Sequence, residues 1–238
     1  MPKYKIADVV FEAKLLYGYT EKLCKSYEYS GDQPCAFTAV MTEEDIQAEN
    51  NDATQEFPAA YLESLALFRK LLNYALKYSD GIVFHSSAIM VDGNAYLFTA
   101  PSGTGKSTHA RLWREMLGDK AVMINDDKPI VRWVDGAFYV YGTPWNGKHR
   151  LDTNCRAKIK AICKISQAKE NTIRRASTAE MLLTVLNQTI RPTEADVMDK
   201  LLKMIEKLLT TVDLYCLGCN ISREAAELSY KTMSGEEL

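Results

Sequence analysis

The chain has 238 residues, enough for one domain with an appendage or for two small ones, and its 47% hydrophobic and 25% charged residues exclude fibrous and disordered classes. Lys and Arg number 29 against 31 Asp and Glu, a formal net charge of −2, which offers no broad positive field to a polyanion and argues against a nucleic-acid partner. No apolar run approaches the ~20 residues of a membrane span, and Met1-Pro2-Lys3-Tyr4-Lys5 is not followed by the apolar core of a signal peptide, so a cytoplasmic protein with no membrane partner is expected.

Tyr4 to Phe11 and Cys35 to Met41 read as strands, separated by the turn Gly31-Asp32-Gln33-Pro34, and the acidic, polar stretch from Thr42 to Gln55 reads as a loop. This β-rich region, 1–56, carries no catalytic motif and is set off from a larger domain over 57–238. From Pro58, read as a first-turn residue, Tyr61, Leu65, Phe68, Leu72, Ala75 and Leu76 follow the spacing of one helical face, with an end near Gly81. Next, Ile82 to Val91 and Ala95 to Thr99 flank Asp92-Gly93-Asn94 as a hairpin.

The second strand enters Ala100-Pro101-Ser102-Gly103-Thr104-Gly105-Lys106-Ser107-Thr108, and His109 to Leu117 reads as a helix stopped by Gly118. Val122 to Ile124 is a short strand ending at Asn125-Asp126-Asp127. Ile130 to Val134 and Ala137 to Tyr141 form a second hairpin around Asp135-Gly136. After the loop Gly142 to Arg150 come a strand over Lys158 to Ile165, helices over Thr178 to Gln188 and Glu194 to Leu209, a strand over Val212 to Leu217, and a closing helix opened by Ser222. Strands joined both by hairpins and by helices give an α/β fold with a mixed sheet around a nucleotide-binding core.

The six cysteines are spread through a chain too long to need disulfide staples. Cys216 and Cys219 make a C-x-x-C pair without the two further ligands of a tetrahedral zinc site, and are read as a strand end and turn.

Residues 100–108 carry the strongest chemical signal. Gly103 and Gly105 permit the bends that turn backbone N–H groups inward, Lys106 brings a mobile charge to β- and γ-phosphates, and Ser107 offers a hydroxyl to Mg²⁺. Ala100 stands where the strict G-x-x-x-x-G-K-[ST] pattern has glycine. Asp126 and Asp127 follow at the end of the next apolar strand, where one carboxylate can hold Mg²⁺ and the other accept the proton of an attacking hydroxyl.

His85 stands in the strand that the hairpin folds back beside the loop. It is either a hydrogen-bonded histidine of a half-buried strand, which spacing alone favours, or a group near the γ-phosphate. The 142–150 loop combines Trp145 and Asn146 with Lys148, His149 and Arg150. It reads equally as a mobile segment placing cations on nucleotide phosphates, Lys148 foremost, and as a basic surface loop. Arg174 and Arg175, and Arg156 with Lys158 and Lys160, read as solvated faces.

His85, the hairpin, the run Pro101 to Thr108 and the Asp126-Asp127 pair together resemble the HPr kinase/phosphorylase superfamily, whose phosphate-loop core is shared with ATP-dependent phosphoenolpyruvate carboxykinases; the resemblance spans about residues 80–165. It implies that Ser102, Gly103, Thr104, Gly105, Lys106, Ser107 and Thr108 hold ATP and Mg²⁺, with Ser107 and Asp127 next to the metal. Of the Asp pair it implies one base and one metal-associated carboxylate, without fixing which is which, Asp126 being the favoured base, and His85 assisting the catalytic acid. Assembly into homo-oligomers is carried by the resemblance alone. The first eighty residues do not look like the N-terminal domain of HPr kinases, and the 142–150 loop does not match their glycine-rich signature segment. The expected activity is transfer of the γ-phosphoryl group of ATP to a hydroxyl, on a Ser/Thr of a small protein or peptide or on a small molecule. The alternatives are an ATP-binding recruitment module and a plain NTPase. The N-terminal region is the natural place for acceptor recognition.

Overall fold

Ala7 and Asp8, both at positive φ (51° and 61°), make a two-residue turn that folds β1 (Lys3–Ile6) antiparallel onto β2 (Val9–Lys14). In this computed structural model, which describes residues 1–53, 55–192 and 194–236, the chain divides into two units, Met1–Ser79 and Asp80–Leu238. In the first, a short helix α1 (Gly18–Leu23) precedes β3 (Phe37–Val40), which lies parallel to β2 and completes a three-stranded sheet. Two helices follow, α2 (Glu43–Asp52) and α3 (Ala59–Tyr78).

Helix α2 corrects the expectation of a loop over Thr42 to Gln55, of which Thr54 lies outside the described residues. Of its side chains only Ile46 and Glu49 are buried, so no apolar period announces it. It is held instead by polar chemistry. Thr42 and Asp45 form a capping box, Glu43, Glu44 and Asp45 sit at the positive end of the helix dipole, and Arg69 and Lys70 of α3 pair with Glu49 and Asp45. Pro58 is the N-cap of α3 rather than a residue of its first turn.

Aromatic packing fixes the sheet: Phe11 of β2 stacks on Phe37 of β3 at 5.0 Å, and Phe37 stacks on Tyr74 of α3 at 5.2 Å. Glu63, wholly buried in α3, accepts hydrogen bonds from the Leu16 amide and the Thr20 hydroxyl, as a buried carboxylate must.

The second unit is built on a nine-stranded mixed sheet. Its elements are β4 (Gly81–Val83), β5 (Ser87–Val91), β6 (Asn94–Thr99), α4 (Lys106–Leu117), β7 (Ala121–Asn125), β8 (Ile130–Val134), β9 (Ala137–Tyr141), β10 (Arg156–Gln167), β11 (Thr172–Arg175), α5 (Thr178–Asn187), α6 (Ala195–Thr211), β12 (Asp213–Cys219) and α7 (Arg223–Ser234). The order runs β4-β8-β9-β10-β6-β5-β7, and the sheet forks at β10, whose first residues pair with β9 while its later ones pair with β12. Both expected hairpins form, with Asp92-Gly93 and Asp135-Gly136 at positive φ.

The single strand expected over Ile82 to Val91 is two. Gly81–Val83 pairs with β8 and Ser87–Val91 with β6 and β7, so the chain changes partners across Phe84, His85 and Ser86. There the amide of Phe84 donates to Pro129 O and that of His85 to Gln188 O. Cys216 and Cys219 both belong to β12, on opposite faces of it.

One face of the sheet packs on α4 and α7 around Trp113, which meets Phe98 and Tyr96 of β6 and Tyr230 of α7 at 5.1 to 5.3 Å. No described helix is long and apolar enough to cross a membrane. Removing the cap, Thr42→Ala, is expected to destabilise the first unit by about 1 kcal/mol while leaving α3 folded. A urea titration read by hydrogen exchange in α2 and α3 separately measures this; equal stability with and without the hydroxyl would contradict the capping account.

Candidate active site

Three neighbouring strands bring the candidate residues to one edge of the sheet. β5 lies antiparallel between β6 and β7, with Ser87 opposite Phe98 and Ala88 opposite Asn125. The carboxyl ends of β6 and β7 and the beginning of β5 therefore coincide, and ligands of open α/β sheets gather at such strand ends. From β6 runs the glycine loop, from β7 the Asp pair, and before β5 stands His85.

Gly103 and Gly105 take positive φ (79° and 119°), and Gly105 is the N-cap of α4, which begins at Lys106, earlier than the expected His109. Among the described residues the amides of Gly103, Gly105, Lys106, Ser107 and Thr108 have no acceptor, whereas His109 N donates to Gly105 O. Ala100 needs no glycine: its φ is not positive and its methyl group lies in the core cluster around Trp113. The ammonium of Lys106 donates to Ala100 O at 2.8 Å. Burial pushes its pKa down, and the charges of Asp127 and Asp126 oppose that fall, which places both carboxylates within electrostatic reach of it. Gln167, at the end of β10, donates to Thr104 O at 3.3 Å.

The two aspartates have different settings. Asp126 is buried, accepts the Ser87 hydroxyl at 2.6 Å, and donates its own amide to Leu151 O. Asp127 meets His85 Nε2 at 3.1 Å and Lys128 Nζ at 2.6 Å. Burial pushes its pKa up, but the hydrogen bond from His85 and the charge of Lys128 outweigh this and bring it down to about 2. His85 thus stands between strands instead of within one, its carbonyl accepting the Thr99 hydroxyl at 3.2 Å and its ring turned to Asp127.

Asn125 is fully buried and organises this corner. Its Oδ1 accepts the amides of Asp127 and Lys128 at 2.8 and 2.7 Å, and its Nδ2 donates to Thr143 O at 2.8 Å. The 142–155 segment then runs back along β7: Gly142 N donates to Cys155 O, Thr153 N to Ile124 O, and Asn125 bridges Asp152. Asn146 donates to Asp152, Trp145 is buried, and Gly147 lies against Asp127 so closely that a Cβ on it would stand 3.1 Å from that residue's own.

Lys148, His149 and Arg150 are exposed at the tip of this segment, and Lys148 has no hydrogen bond or ion pair among the described residues. The structure thus joins His85, Lys106, Asp126 and Asp127 but not the Lys148 side chain. Sequence reasoning passed over Asn125, Ser87, Lys128 and Thr143 as parts of the site. Asn125 had a signal, an Asn before two aspartates at a strand end, where an Asx turn forms readily.

No family model matches the sequence and no curated protein is recognisably similar to it. Among solved structures, the Hpr(Ser) kinase/phosphatase from Coxiella burnetii is similar over 53% of this chain and 90% of that chain, at 10% identity and a TM-score of 0.32. The likeness is distant, and the functional reading rests on the geometry of the site.

Two predictions follow from the packing around the loop and its helix. His109 of α4 is 3% exposed, bonded through Nε2 to Ser229 of α7 at 2.9 Å, and burial lowers its pKa to about 4. An imidazole depressed below its unfolded value of about 6.5 stabilises the fold fully above pH 6.5 and loses that contribution between pH 6.5 and pH 4, about 3 kcal/mol at most. Urea unfolding from pH 7.5 to 4 should show this loss in the wild type and a flatter profile in His109→Gln; parallel profiles would refute it. Gly142→Ala would put a Cβ 2.0 Å from Thr153 O, so it is expected to lower Tm and deprotect the 142–155 amides in hydrogen exchange.

Proposed function

We propose that this chain is an ATP-dependent kinase that transfers the γ-phosphoryl group to a hydroxyl acceptor. The observation that carries the reading is the convergence, on one sheet edge, of a glycine loop whose amides are unpaired among the described residues, a buried lysine, and two adjacent carboxylates of which one is paired with a histidine. A row of donors with no protein acceptor suits a polyanion, and the start of α4 adds its positive dipole end. In this reading residues 102–108 cradle the phosphates, and Lys106 exchanges its carbonyl partner for β- and γ-phosphate oxygens.

Among the described residues no group of three or more His, Cys, Asp or Glu stands ready to hold a metal by itself. That suits Mg²⁺, which is commonly bound by one or two protein oxygens with the remainder from phosphates and water. Ser107 and Asp127 would hold it, and when bound it would neutralise charge developing on the β- and γ-phosphates. Asp127, anionic down to about pH 2, is suited to that task. Asp126, kept in place by Ser87, would take the proton of the acceptor hydroxyl as that oxygen bonds to the γ-phosphorus and the bridging oxygen leaves with ADP. His85 would hold Asp127 in orientation.

The test uses γ-labelled ATP, Mg²⁺ and a lysate of the source cells, with products followed in protein and small-molecule fractions. Label in the wild-type reaction should disappear with Lys106→Ala. Asp126→Asn should slow turnover by about 10²–10⁴-fold with ATP still bound, the usual worth of a positioned base. Asp127→Asn should raise the Mg²⁺ requirement, and His85→Ala should lower turnover with a smaller effect on ATP binding. ATP binding with no labelled product would replace the kinase by a nucleotide-sensing module, and phosphate release without an acceptor by an NTPase.

A further inference from the structure

The three-stranded sheet of the first unit ends in a strand with one side unpaired. Ala13 of β2 donates its amide to Pro2 O, so the odd-numbered residues of β2 turn their main chain towards β1 and the even-numbered ones towards β3, where Met41 N donates to Lys14 O at 2.9 Å. On β3 this turns the main-chain groups of Phe37 and Ala39 to β2 and those of Thr38 and Val40 outward. Among the described residues no strand, bridge or hydrogen bond pairs these outward groups. Thr38 is exposed and Val40 is 48% exposed.

Beside the edge an aromatic ladder climbs from the core to the surface. Phe11 stacks on Phe37, Phe37 on Tyr74 at 5.2 Å, and Tyr74 meets Tyr78 at 5.1 Å, where Tyr78 is 72% exposed. A strand laid along β3 would place every second side chain on the face of Phe37 and Ala39, next to this ladder. Two needs are thus set side by side: a row of donors and acceptors that only another backbone satisfies in register, and an aromatic surface for alternate side chains.

We infer that the β3 edge captures an extended peptide segment by strand addition, with apolar or aromatic side chains at alternate positions lying against Tyr74 and Tyr78. In calling that segment part of the acceptor the inference rests on the kinase reading, and it makes the acceptor a polypeptide whose docking segment is distinct from the residue that bears the reacting hydroxyl. A second copy of the chain is disfavoured as occupant, because two four-residue edges bury far less than the ~800 Å² per partner of a stable interface.

The probe is a displayed library of random peptides of about 12 residues, longer than the ~5–6 residues of a typical strand, selected on the full chain without nucleotide. Selected peptides should share apolar residues at alternate positions. Thr38→Pro removes one outward N–H and blocks the edge while sparing the bonds to β2, and should weaken binding about tenfold or more, whereas Thr38→Val should not. Tyr78→Ala should also weaken binding. In the wild type, where no variant needs to fold, the amides of Thr38 and Val40 should gain hydrogen-exchange protection when a synthetic selected peptide is added.

The inference is overturned if no peptide is enriched, if binding ignores Thr38→Pro and leaves those amides unprotected, or if the edge proves to be occupied by a second copy, seen as a dimer that Thr38→Pro dissolves. Peptides that bind at the edge but are never phosphorylated would leave this inference standing and count against the kinase reading.

Discussion

One buried amide holds the candidate site together. Asn125 spends its carbonyl on the amides of Asp127 and Lys128 and its NH₂ on Thr143, so one side chain fixes the turn that carries the carboxylates and the segment that covers them. Because it is wholly buried, each of those bonds is nearly obligatory: losing a partner would leave a polar atom without water or protein to satisfy it. The two aspartates, the Lys128 ammonium and the start of the 142–155 segment are therefore constrained as a group. Gly142 and Gly147 are the geometric counterpart, since both lie where a Cβ would press on Thr153 or Asp127.

Charge is balanced within the same corner. Lys106 is buried, which alone would drive off its proton, and the two carboxylates work against that loss. Asp127 is half-buried, and His85 and Lys128 keep it anionic. Each charge on this edge is tolerated because an opposite one is close, and among the described residues these ion pairs leave the loop amides unengaged.

What could be read from the sequence was what local chemistry decides. Asp92-Gly93 and Asp135-Gly136 mark their hairpins because Gly, and to a lesser degree Asp, accept positive φ, and the glycine loop is visible for the same reason. Helix α2 was hidden because its stability lies in caps and ion pairs instead of an apolar stripe. The break at His85 had a signal that was passed over: the polar His85-Ser86-Ser87 interrupts the apolar run between Ile82 and Val91 where the chain exchanges partners, from β8 to β6 and β7. The roles of Ser87, Lys128 and Thr143 depend on register and loop return, which no single segment encodes; the aspartates stood out because two carboxylates at a strand end are costly without a use.

The departure at Ala100 shows why a motif is better judged by its physics than by its letters. Glycine is needed where backbone must reach positive φ or where a ligand comes too close for a Cβ. In this loop Gly103 and Gly105 take positive φ. Ala100 follows β6 at negative φ with its methyl group in the core, and it is the carbonyl of this residue, a group every amino acid carries, that receives Lys106. A methyl there adds packing beneath the loop and takes nothing from the amides above it. The positive-φ glycines and the amides that follow them are thus undisturbed in a sequence that fails the strict pattern, and substitutions at those two glycines would be far more damaging than the alanine already present.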